Sequence, residues 1–426
     1  MTAPADARKS PGIDAEPDAE SGSPAPRRRG GLLVLGALSA IGPLSIDMYL
    51  PALPSISSEM AAGAAEVQLS LTACLIGVSL GQVVAGPLSD VRGRRTPLLA
   101  GLAGYVLASL LCAFAPSVYA LVALRLVQGF AGGAVLVIVR AVVRDLYDGP
   151  AIARIFASLM LVSGLAPILA PIAGAQLLSV TSWRGVFVAL TVAGLGLLAA
   201  VVFRVRETLP AGQREAGGLR RTGRTFWVLL RDRPFMACAI SAGLGFGAMF
   251  AYISGSPFVL QGVYEVTPQT YSLLFAANAV GLIALSQLGG RLAGRVSPAR
   301  LVLVGLFVTL AGALSLLAGV AAGLGLPVVA GSLFVMMCGA GLVLPGTGAL
   351  ALMNQPPQVA GSASALLGVL QFAFGALSAP LVGLAGTGTA APMAVVMTVL
   401  AAGSLAAFLA LGGTRPAVRA EPVSAG

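Results

Sequence analysis

Long apolar stretches alternate with short polar hairpins along almost the whole chain. Many of these stretches reach the ~20 residues needed to cross a ~30 Å hydrocarbon layer, and buried helices of soluble proteins seldom run so long so often. Hydropathy and helix-breaking residues predict spans at 31–53, 67–89, 96–114, 118–140, 153–178, 185–203, 235–260, 270–290, 301–322, 327–350, 359–384 and 392–412. The pattern therefore predicts an all-α membrane protein with twelve transmembrane helices.

The longest internal polar stretch separates six spans from six. Displacing the chain by 204 residues also superposes Gly86–Asp90 on Gly290–Gly294, as an internal six-plus-six repeat predicts. The expected organisation is a disordered cytoplasmic tail (1–30), an N-terminal six-helix bundle (31–203), a cytoplasmic linker (204–234), a C-terminal six-helix bundle (235–412) and a second cytoplasmic tail (413–426).

The first thirty residues are rich in Pro, Ala, Ser, Asp and Glu, which favours disorder. A cleaved signal peptide is the alternative. The apolar run after the arginines is about 22 residues long and is followed by the other eleven predicted spans, which argues against a signal peptide. We therefore expect the first span to stay in the mature protein.

Basic residues fall on one side of the predicted spans. With the amino terminus inside, all of the 26 lysines and arginines except Arg125 and Arg184 lie in or beside cytoplasmic segments. This is the positive-inside rule, so a bilayer accounts for the net charge of +10 and no nucleic-acid partner is needed. The sequence predicts a multi-pass protein of the cytoplasmic membrane with both termini in the cytoplasm.

Composition limits the available chemistry. The chain has no histidine, so any proton relay must use carboxylates, arginine, tyrosine or water. The four cysteines lie in apolar stretches without paired spacing, which argues against a disulfide or a metal site. We expect no metal, no cofactor and, since no nucleophile or base cluster is present, no enzymatic activity.

Two charged residues stand out because they lie inside predicted spans. Asp47 and Arg125 are both expected roughly 10 Å below the outer surface, where a charge costs about 2.5 to 3.5 kcal/mol. They could pair or face one water-filled cavity. The functional hypothesis is that Asp47 takes and releases a coupled proton while Arg125 controls its protonation. A static ion pair that only fixes helix packing is the alternative, although such pairs contribute little net stability.

Polar uncharged side chains inside the spans are candidates for contact with a substrate. A mostly apolar cavity with a few such groups suits neutral or weakly charged amphipathic compounds. For each side chain, a hydrogen bond between helices is the competing interpretation. The candidates are Tyr49, Gln128, Tyr252, Asn278 and Gln371.

A very short hairpin follows the second span and carries an acid beside three arginines. The positive-inside rule explains the arginines but not Asp90, which could cap a helix or bind arginine when the cytoplasmic face closes. We interpret this gate hairpin as a conformational latch. Its predicted residues are Gly86, Asp90, Arg92, Gly93, Arg94 and Arg95.

Glycines and prolines form helical faces in spans four and five. Gly129, Gly132 and Gly133 share the face of Arg125, where they serve close packing or a binding space. In span five the spacing of three, four and three puts two glycines and two prolines on one face, which predicts a flexible interface. This proline stripe consists of Gly164, Pro167, Pro171 and Gly174.

Taken in order along the chain, these motifs resemble the major facilitator superfamily, and within it the Bcr/CflA-type drug:proton antiporters. The markers are Ile46–Pro51 in span one, the gate hairpin, Arg125 with Gln128 and Gly129, the proline stripe, and Trp183–Arg184 before span six. One position departs from the family pattern, because Val91 follows the hairpin aspartate where relatives usually carry a basic residue.

The resemblance implies two pseudo-symmetric six-helix bundles that rock around a central site, with proton influx driving export. By the same likeness, Asp47 and Arg125 are the coupling residues, and the proline stripe is typical of antiporters rather than symporters. The expected function is proton-coupled efflux of small amphipathic compounds, such as drugs or antibiotics, by a monomer. A proton-coupled importer of the same fold is the nearest alternative, followed by a channel or membrane sensor.

Overall fold

The computed structural model describes residues 26–147, 150–210, 212, 226–353, 355–356, 359–384, 386 and 388–411. Within these ranges the chain forms helices and no strand. Most of the first predicted tail, all of the second and much of the predicted linker lie outside the described residues.

The first crossing is built from three consecutive helices, and each later crossing from one. The first crossing contains α1 (Pro26–Ser39), α2 (Ile41–Asp47), a 3₁₀ turn (Leu50–Ala52) and α3 (Leu53–Glu59). The others are α4 (Ala64–Arg92), α5 (Arg95–Ala113), α6 (Val118–Leu146), α7 (Pro150–Val180), α8 (Trp183–Arg204), α9 (Arg233–Phe258, continued by a π turn, Val259–Val263), α10 (Pro268–Leu292), α11 (Pro298–Ala321), α12 (Gly325–Met353), α13 (Ala360–Leu384) and α14 (Ala391–Ala410).

The prediction of an all-α membrane protein is confirmed. Among the described residues, 11 helices are long and apolar enough to cross a membrane, and α7 adds a shorter apolar segment, Gly164–Val180. Together they supply the twelve crossings that hydropathy predicts. The predicted end of the first span at residue 53 was wrong, because the helix resumes after the proline-rich turn and reaches Glu59.

Prolines set the breaks in the first crossing. A proline has no N–H to bond the carbonyl four residues earlier. Pro43 therefore leaves the Ser39 carbonyl without a helical partner, and α1 ends at Ser39. Pro51 does the same for Asp47, and α2 ends there. The acid thus sits at a helix end, next to irregular backbone.

The depth of Asp47 also differs from the expectation. It lies twelve residues from Glu59, the end of the crossing, or roughly 18 Å by helical rise. Arg125 lies seven residues from Val118, the start of α6, or roughly 10 Å. Asp47 therefore lies farther from the end of its crossing than the sequence suggested.

Helices α1–α8 form one bundle and α9–α14 the other, and equivalent helices approach closely in both. A Cβ built on Gly129 of α6 would lie 2.1 Å from the Cys74 carbonyl oxygen of α4. One built on Gly341 of α12 would lie 2.2 Å from the Leu282 carbonyl oxygen of α10. The same backbone contact thus joins the second and fourth crossings of each half. Of the two roles considered for Gly129, close helix packing is therefore the one that this contact supports.

The two bundles meet where α4 packs on α13 and α7 packs on α10. We call the end of the molecule that carries the gate hairpin the basic end. At the opposite end, side chains of one bundle donate hydrogen bonds of 3.0–3.3 Å to backbone carbonyls of the other. This inter-bundle seal comprises Gln68 to Ser254, Thr72 to Ala376, Gln261 to Pro51 and Gln269 to Ala175.

Candidate functional site

A cavity of about 590 Å³ lies between the bundles toward the basic end. Helices α4 and α6 line one side and α13 lines the other. Its wall consists of Ser79, Gln82, Val83, Leu136, Val137, Arg140, Arg144, Ser364, Ala365, Leu367, Gly368, Val369, Gln371 and Phe372. The volume matches that of cavities that hold drug-sized molecules.

The cavity reaches deep into the molecule and is closed beyond its inner limit. Gln371 lies eleven residues from Ala360, the start of α13, which is roughly 17 Å of helix. One turn farther, Thr72 donates to the Ala376 carbonyl at 3.0 Å, and the inter-bundle seal begins. The molecule is therefore accessible from the basic end and closed at the other.

Arg125 lies in the closed half and is fully buried, with 0% of its surface exposed. Its Nη1 donates to Gln128 Oε1 at 2.5 Å, and Gln128 Nε2 donates to the Ser109 hydroxyl at 2.7 Å. The guanidinium stands 4.9 Å from the ring centroid of Tyr49 and 5.8 Å from that of Phe187. Its Nε and Nη2 have no hydrogen-bond partner among the described residues. The cation is thus held mainly by ring faces and one amide.

Asp47 is also buried, with 6% exposed, and lies three residues before the turn Leu50–Ala52, which packs on α9 and α10 of the second bundle. Within the described part of the chain it forms no ion pair, with Arg125 or any other residue. It interacts electrostatically with Tyr252 and Tyr271, both of the second bundle. The structure therefore puts Asp47 at the junction of the bundles and Arg125 inside the first.

The five polar residues predicted to contact substrate fall into different environments. Gln371 lines the large cavity. Tyr49 is buried beneath Arg125, with its hydroxyl 2.5 Å from that of Ser70. Asn278 Nδ2 donates to the Tyr252 hydroxyl at 2.8 Å, and Asn278 also borders a second cavity of about 210 Å³. In this conformation Tyr49, Tyr252 and Gln128 connect helices, and a substrate contact by them stays a prediction.

In the gate hairpin, Arg94 is the central residue. It donates to Asp90 at 2.5 Å and, through Nε, to Asp145 at the end of α6 at 2.9 Å. Burial alone would lower the pKa of Arg94, but its hydrogen bonds to Asp145 and Asp90 and their charges raise it above the ordinary arginine value. Val91 points outward, 48% exposed, so the departure from the family pattern leaves Arg94 as the partner of Asp90.

A second carboxylate fixes the backbone of the same hairpin. Glu207 accepts N–H bonds from Arg94 at 2.7 Å and from Arg95 at 3.1 Å. Burial pushes the pKa of Glu207 up, but these backbone N–H groups outweigh it, and the pKa lies below the ordinary glutamate value. Gly93 makes the turn with φ of 88°, a conformation that other residues rarely adopt. Arg92 is exposed and Gly86 lies within α4.

The proline stripe of α7 contacts both bundles. Pro167 and Pro171 lie within the helix. A Cβ on Gly174 would lie 2.0 Å from the Met48 carbonyl oxygen, so only glycine allows α7 to approach the backbone beside Asp47. A Cβ on Gly164 would meet Ile283 of α10 at 3.7 Å, an ordinary contact. The stripe thus connects the acid-bearing segment to the second bundle.

Sequence reasoning missed four residues of this region. Asp145 and Glu207 lie at predicted span ends, where they resemble ordinary loop acids. Arg140 and Arg144 were assigned to the positive-inside pattern, yet both line the cavity. Their four-residue spacing, which puts both on one helix face, was the available signal.

Two helical bundles around a cavity that opens at one end define a membrane transporter, and the fold and family are not those of enzymes. The chain belongs to the Major Facilitator Superfamily, whose family model matches residues 35–380. A solved structure, that of a D-xylose-proton symporter, has a TM-score of 0.72 at 15% identity, covering 92% of this chain and 99% of that one. At that identity the likeness shows the fold alone.

Relatives with known names confirm the resemblance to the Bcr/CflA type. The MFS-type transporter YdgK of Bacillus subtilis (strain 168), described as uncharacterized, is 41% identical over 88% of this chain and 94% of its own. A bicyclomycin resistance protein homolog of Haemophilus influenzae is 30% identical, covering 86% and 92%. A chloramphenicol resistance protein of Pseudomonas aeruginosa is 30% identical, covering 67% of each chain.

Proposed function

We propose that this protein is a proton-coupled antiporter that exports small amphipathic compounds by alternating access. The basic end faces the cytoplasm, both termini lie inside, and the protein acts as a monomer in the cytoplasmic membrane. The halves 31–203 and 235–412, joined by the cytoplasmic linker 204–234, move against each other. The concentration of basic residues at one end supports this orientation.

One observation carries the proposal: two opposite charges are buried in the closed half without neutralising each other. Asp47 lies where the bundles meet, and Arg125 lies among aromatic rings of the first bundle. An ionised carboxylate without a partner is costly to bury, and binding a proton removes that cost. A static ion pair would instead bring the two groups into contact.

Proton binding at Asp47 supplies the switch. When the acid is neutral, it tolerates the buried position that it has in the present conformation. When it is ionised, it favours a conformation that offers water or the unpartnered guanidinium nitrogens of Arg125. Because Asp47 is at the bundle junction, its charge state alters the contact between the bundles. Each proton entering the cell contributes ~2.3 kcal/mol per 100 mV of membrane potential.

The cavity supplies the cargo site. It opens at the basic end, so cargo enters from the cytoplasm, and apolar side chains such as Leu136 and Phe372 form much of its wall. Ser79, Gln82 and Gln371 add a few polar groups. Apolar walls with few polar groups suit amphipathic molecules. The names of the relatives make chloramphenicol a reasonable first probe.

The test uses everted membrane vesicles with an acidic interior, to which chloramphenicol is added while the internal pH is followed. An antiporter releases protons as drug enters the vesicle, so the interior becomes more alkaline. Asp47→Asn should abolish this response. The matched control is Glu265→Gln, which removes an exposed acid outside the helices and should leave the response intact.

The sign of the response separates the alternatives. A proton-coupled importer of the same fold would carry protons in the same direction as the drug and acidify the interior further. A response of normal size in Asp47→Asn would contradict the coupling role. A drug flux that ignores the pH gradient would indicate a channel instead.

A further inference from the structure

Two arginines face the cavity from a single helix. Arg140 and Arg144 are four residues apart on α6, so they lie on the same face, and both line the cavity wall. Among the described residues that form the wall, they are the charged ones. Like charges at this spacing repel each other, which makes the pair unfavourable unless something compensates.

The compensation does not come from the neighbouring acid. Asp145 follows Arg144 directly, but its carboxylate accepts hydrogen bonds from Arg94 at 2.9 Å and from the Thr208 hydroxyl at 3.0 Å. The Asp145 carboxylate is thus bonded to Arg94 of the gate hairpin and to Thr208. Neither Arg140 nor Arg144 takes part in an ion pair within the described residues. Within the described part of the chain, the two guanidinium groups therefore line the cavity without a carboxylate partner.

The positive-inside rule accounts for Arg144 better than for Arg140. Arg144 is in the last turn of α6, where basic residues are common. Arg140 lies six residues before Leu146, so it is roughly 9 Å from the end of the helix. It lines the space between the bundles. Low-dielectric walls around such a pair focus its field into the cavity.

We propose that this cavity binds amphipathic organic anions: molecules with an apolar body and a carboxylate or similar acid group. Arg140 and Arg144 hold the acid group, and the wall around Leu136, Val137 and Phe372 holds the body. This assigns the amphipathic cargo an acid group in place of the neutral or weakly charged character expected from the sequence, and it rests on the proposed export function. The chemistry admits two sources, a soluble organic acid or the headgroup of an anionic lipid.

An anionic cargo also suits the proposed direction of transport. A membrane potential that is negative inside drives protons in and anions out. Exchange of one proton for one monovalent anion therefore moves two charges in the favourable sense, each worth ~2.3 kcal/mol per 100 mV. A neutral cargo would draw on only the proton.

Binding can be tested without any gradient. The full chain is placed in phosphatidylcholine nanodiscs, and equilibrium dialysis measures the affinity of three probes of equal size: 2-naphthoate, 2-naphthamide and the 2-naphthylmethylammonium ion. The carboxylate should bind about tenfold more tightly than the amide, and the ammonium ion most weakly. Arg140→Gln should remove this preference and Arg140→Lys should restore most of it. Arg300→Gln, an exposed arginine outside the cavity, is the matched control.

A second arm separates the two sources of the anion. If nanodiscs that contain phosphatidylglycerol abolish 2-naphthoate binding, and the lipid remains bound to the wild-type chain but not to Arg140→Gln, the site takes lipid headgroups. If 2-naphthoate binds equally well in both lipids, it takes soluble acids. Equal affinity for all three probes, or an unchanged preference in both Arg140→Gln and Arg144→Gln, overturns the proposal. Because dialysis does not depend on Asp47 or on a pH gradient, that result would leave proton-coupled export standing, and a failed vesicle assay would leave the binding result standing.

Discussion

Substituting alanine for Gly174 tests whether the proline stripe positions Asp47, the acid proposed to couple protons. The added Cβ would lie 2.0 Å from the Met48 carbonyl oxygen and 2.9 Å from its carbon. Side-chain carbons essentially never approach other atoms within 3.0 Å, so α7 and the turn after Asp47 must separate by about 1 Å. The neighbouring atoms belong to backbone, so no side chain can rotate away to make room.

The cost of this separation follows from the packing. Forcing one extra carbon into a close-packed interior typically costs about 1–3 kcal/mol. If that energy falls on the conformational step that uses the contact, proton-coupled transport should slow by about 5- to 150-fold. We expect binding of a cavity ligand to change far less, because Gly174 does not line the cavity.

Gly164 offers a control within the same stripe. A Cβ there meets the Ile283 side chain at 3.7 Å, which is ordinary van der Waals contact. Both variants receive the same chemical change in the same helix. The assay is drug-induced alkalinisation of everted vesicles, normalised to protein level and accompanied by thermal unfolding in detergent. Gly164→Ala should stay within about twofold of the wild type, since surface-like contacts cost little.

Similar behaviour of the two variants would refute the positioning role of Gly174. Normal coupling in Gly174→Ala would mean that α7 can move away from Met48 without disturbing Asp47. Equal loss in both variants would mean that any alanine in the stripe is harmful, whatever the distance to its neighbours. Loss of folded protein in Gly174→Ala but not in Gly164→Ala would still support the contact, because only the first of the two Cβ atoms meets backbone at close range.

Two further predictions concern the surroundings of the buried and latched charges. Tyr49→Phe keeps the ring under Arg125 and loses only the hydrogen bond to Ser70, so its transport rate should remain within a few-fold of the wild type. Tyr49→Leu loses a desolvated cation–π contact of about 2 kcal/mol, so its transport rate should fall roughly tenfold or more. At the gate hairpin, Glu207 accepts a hydrogen bond from the backbone N–H of Arg94, and its pKa lies below the ordinary glutamate value. The stabilisation from this bond is therefore fully present above the ordinary glutamate pKa. It is lost as the pH falls through the lowered pKa. The protection factors of the hairpin amides, which correct hydrogen exchange for its intrinsic pH dependence, should fall with acidification in the wild type and be low at all pH values in Glu207→Gln. Equal transport in the two Tyr49 variants, or a hairpin indifferent to Glu207, would contradict these assignments.

Hydropathy was sufficient for the fold because crossing a bilayer requires long apolar helices whatever their neighbours are. It could not place the ends of α2 and α3, since Pro51 breaks the helix locally while the chain continues as helix to Glu59. The buried charges were also visible in the sequence. Asp47 and Arg125 stand out because the residues around them in the sequence are apolar, which can be seen without the structure.

The rotation of each helix about its axis was not visible. Tyr49 and Gln371 are both polar residues of apolar spans, yet one is buried under a guanidinium and the other lines the cavity. Hydropathy assigns both to the membrane and says nothing about which faces the partner bundle. The anchors of the gate hairpin were hidden for a related reason, since Asp145 and Glu207 are far from Arg94 in the chain.

The two ends of the molecule are held by contacts of different kinds, and this bears on how the conformation changes. The gate hairpin uses ion pairs, but the described ones lie within the first bundle and do not oppose separation of the bundles. The inter-bundle seal uses neutral donors on backbone carbonyls, at about 0.5–1.5 kcal/mol each, or about 2–6 kcal/mol for the four. Inverting a two-state population from 1:99 to 99:1 takes about 5.5 kcal/mol. One proton driven by about 150 mV supplies roughly 3.5 kcal/mol of this. Under the proposed coupling, the seal is therefore weak enough for a change of charge at Asp47, together with cargo binding, to reverse it.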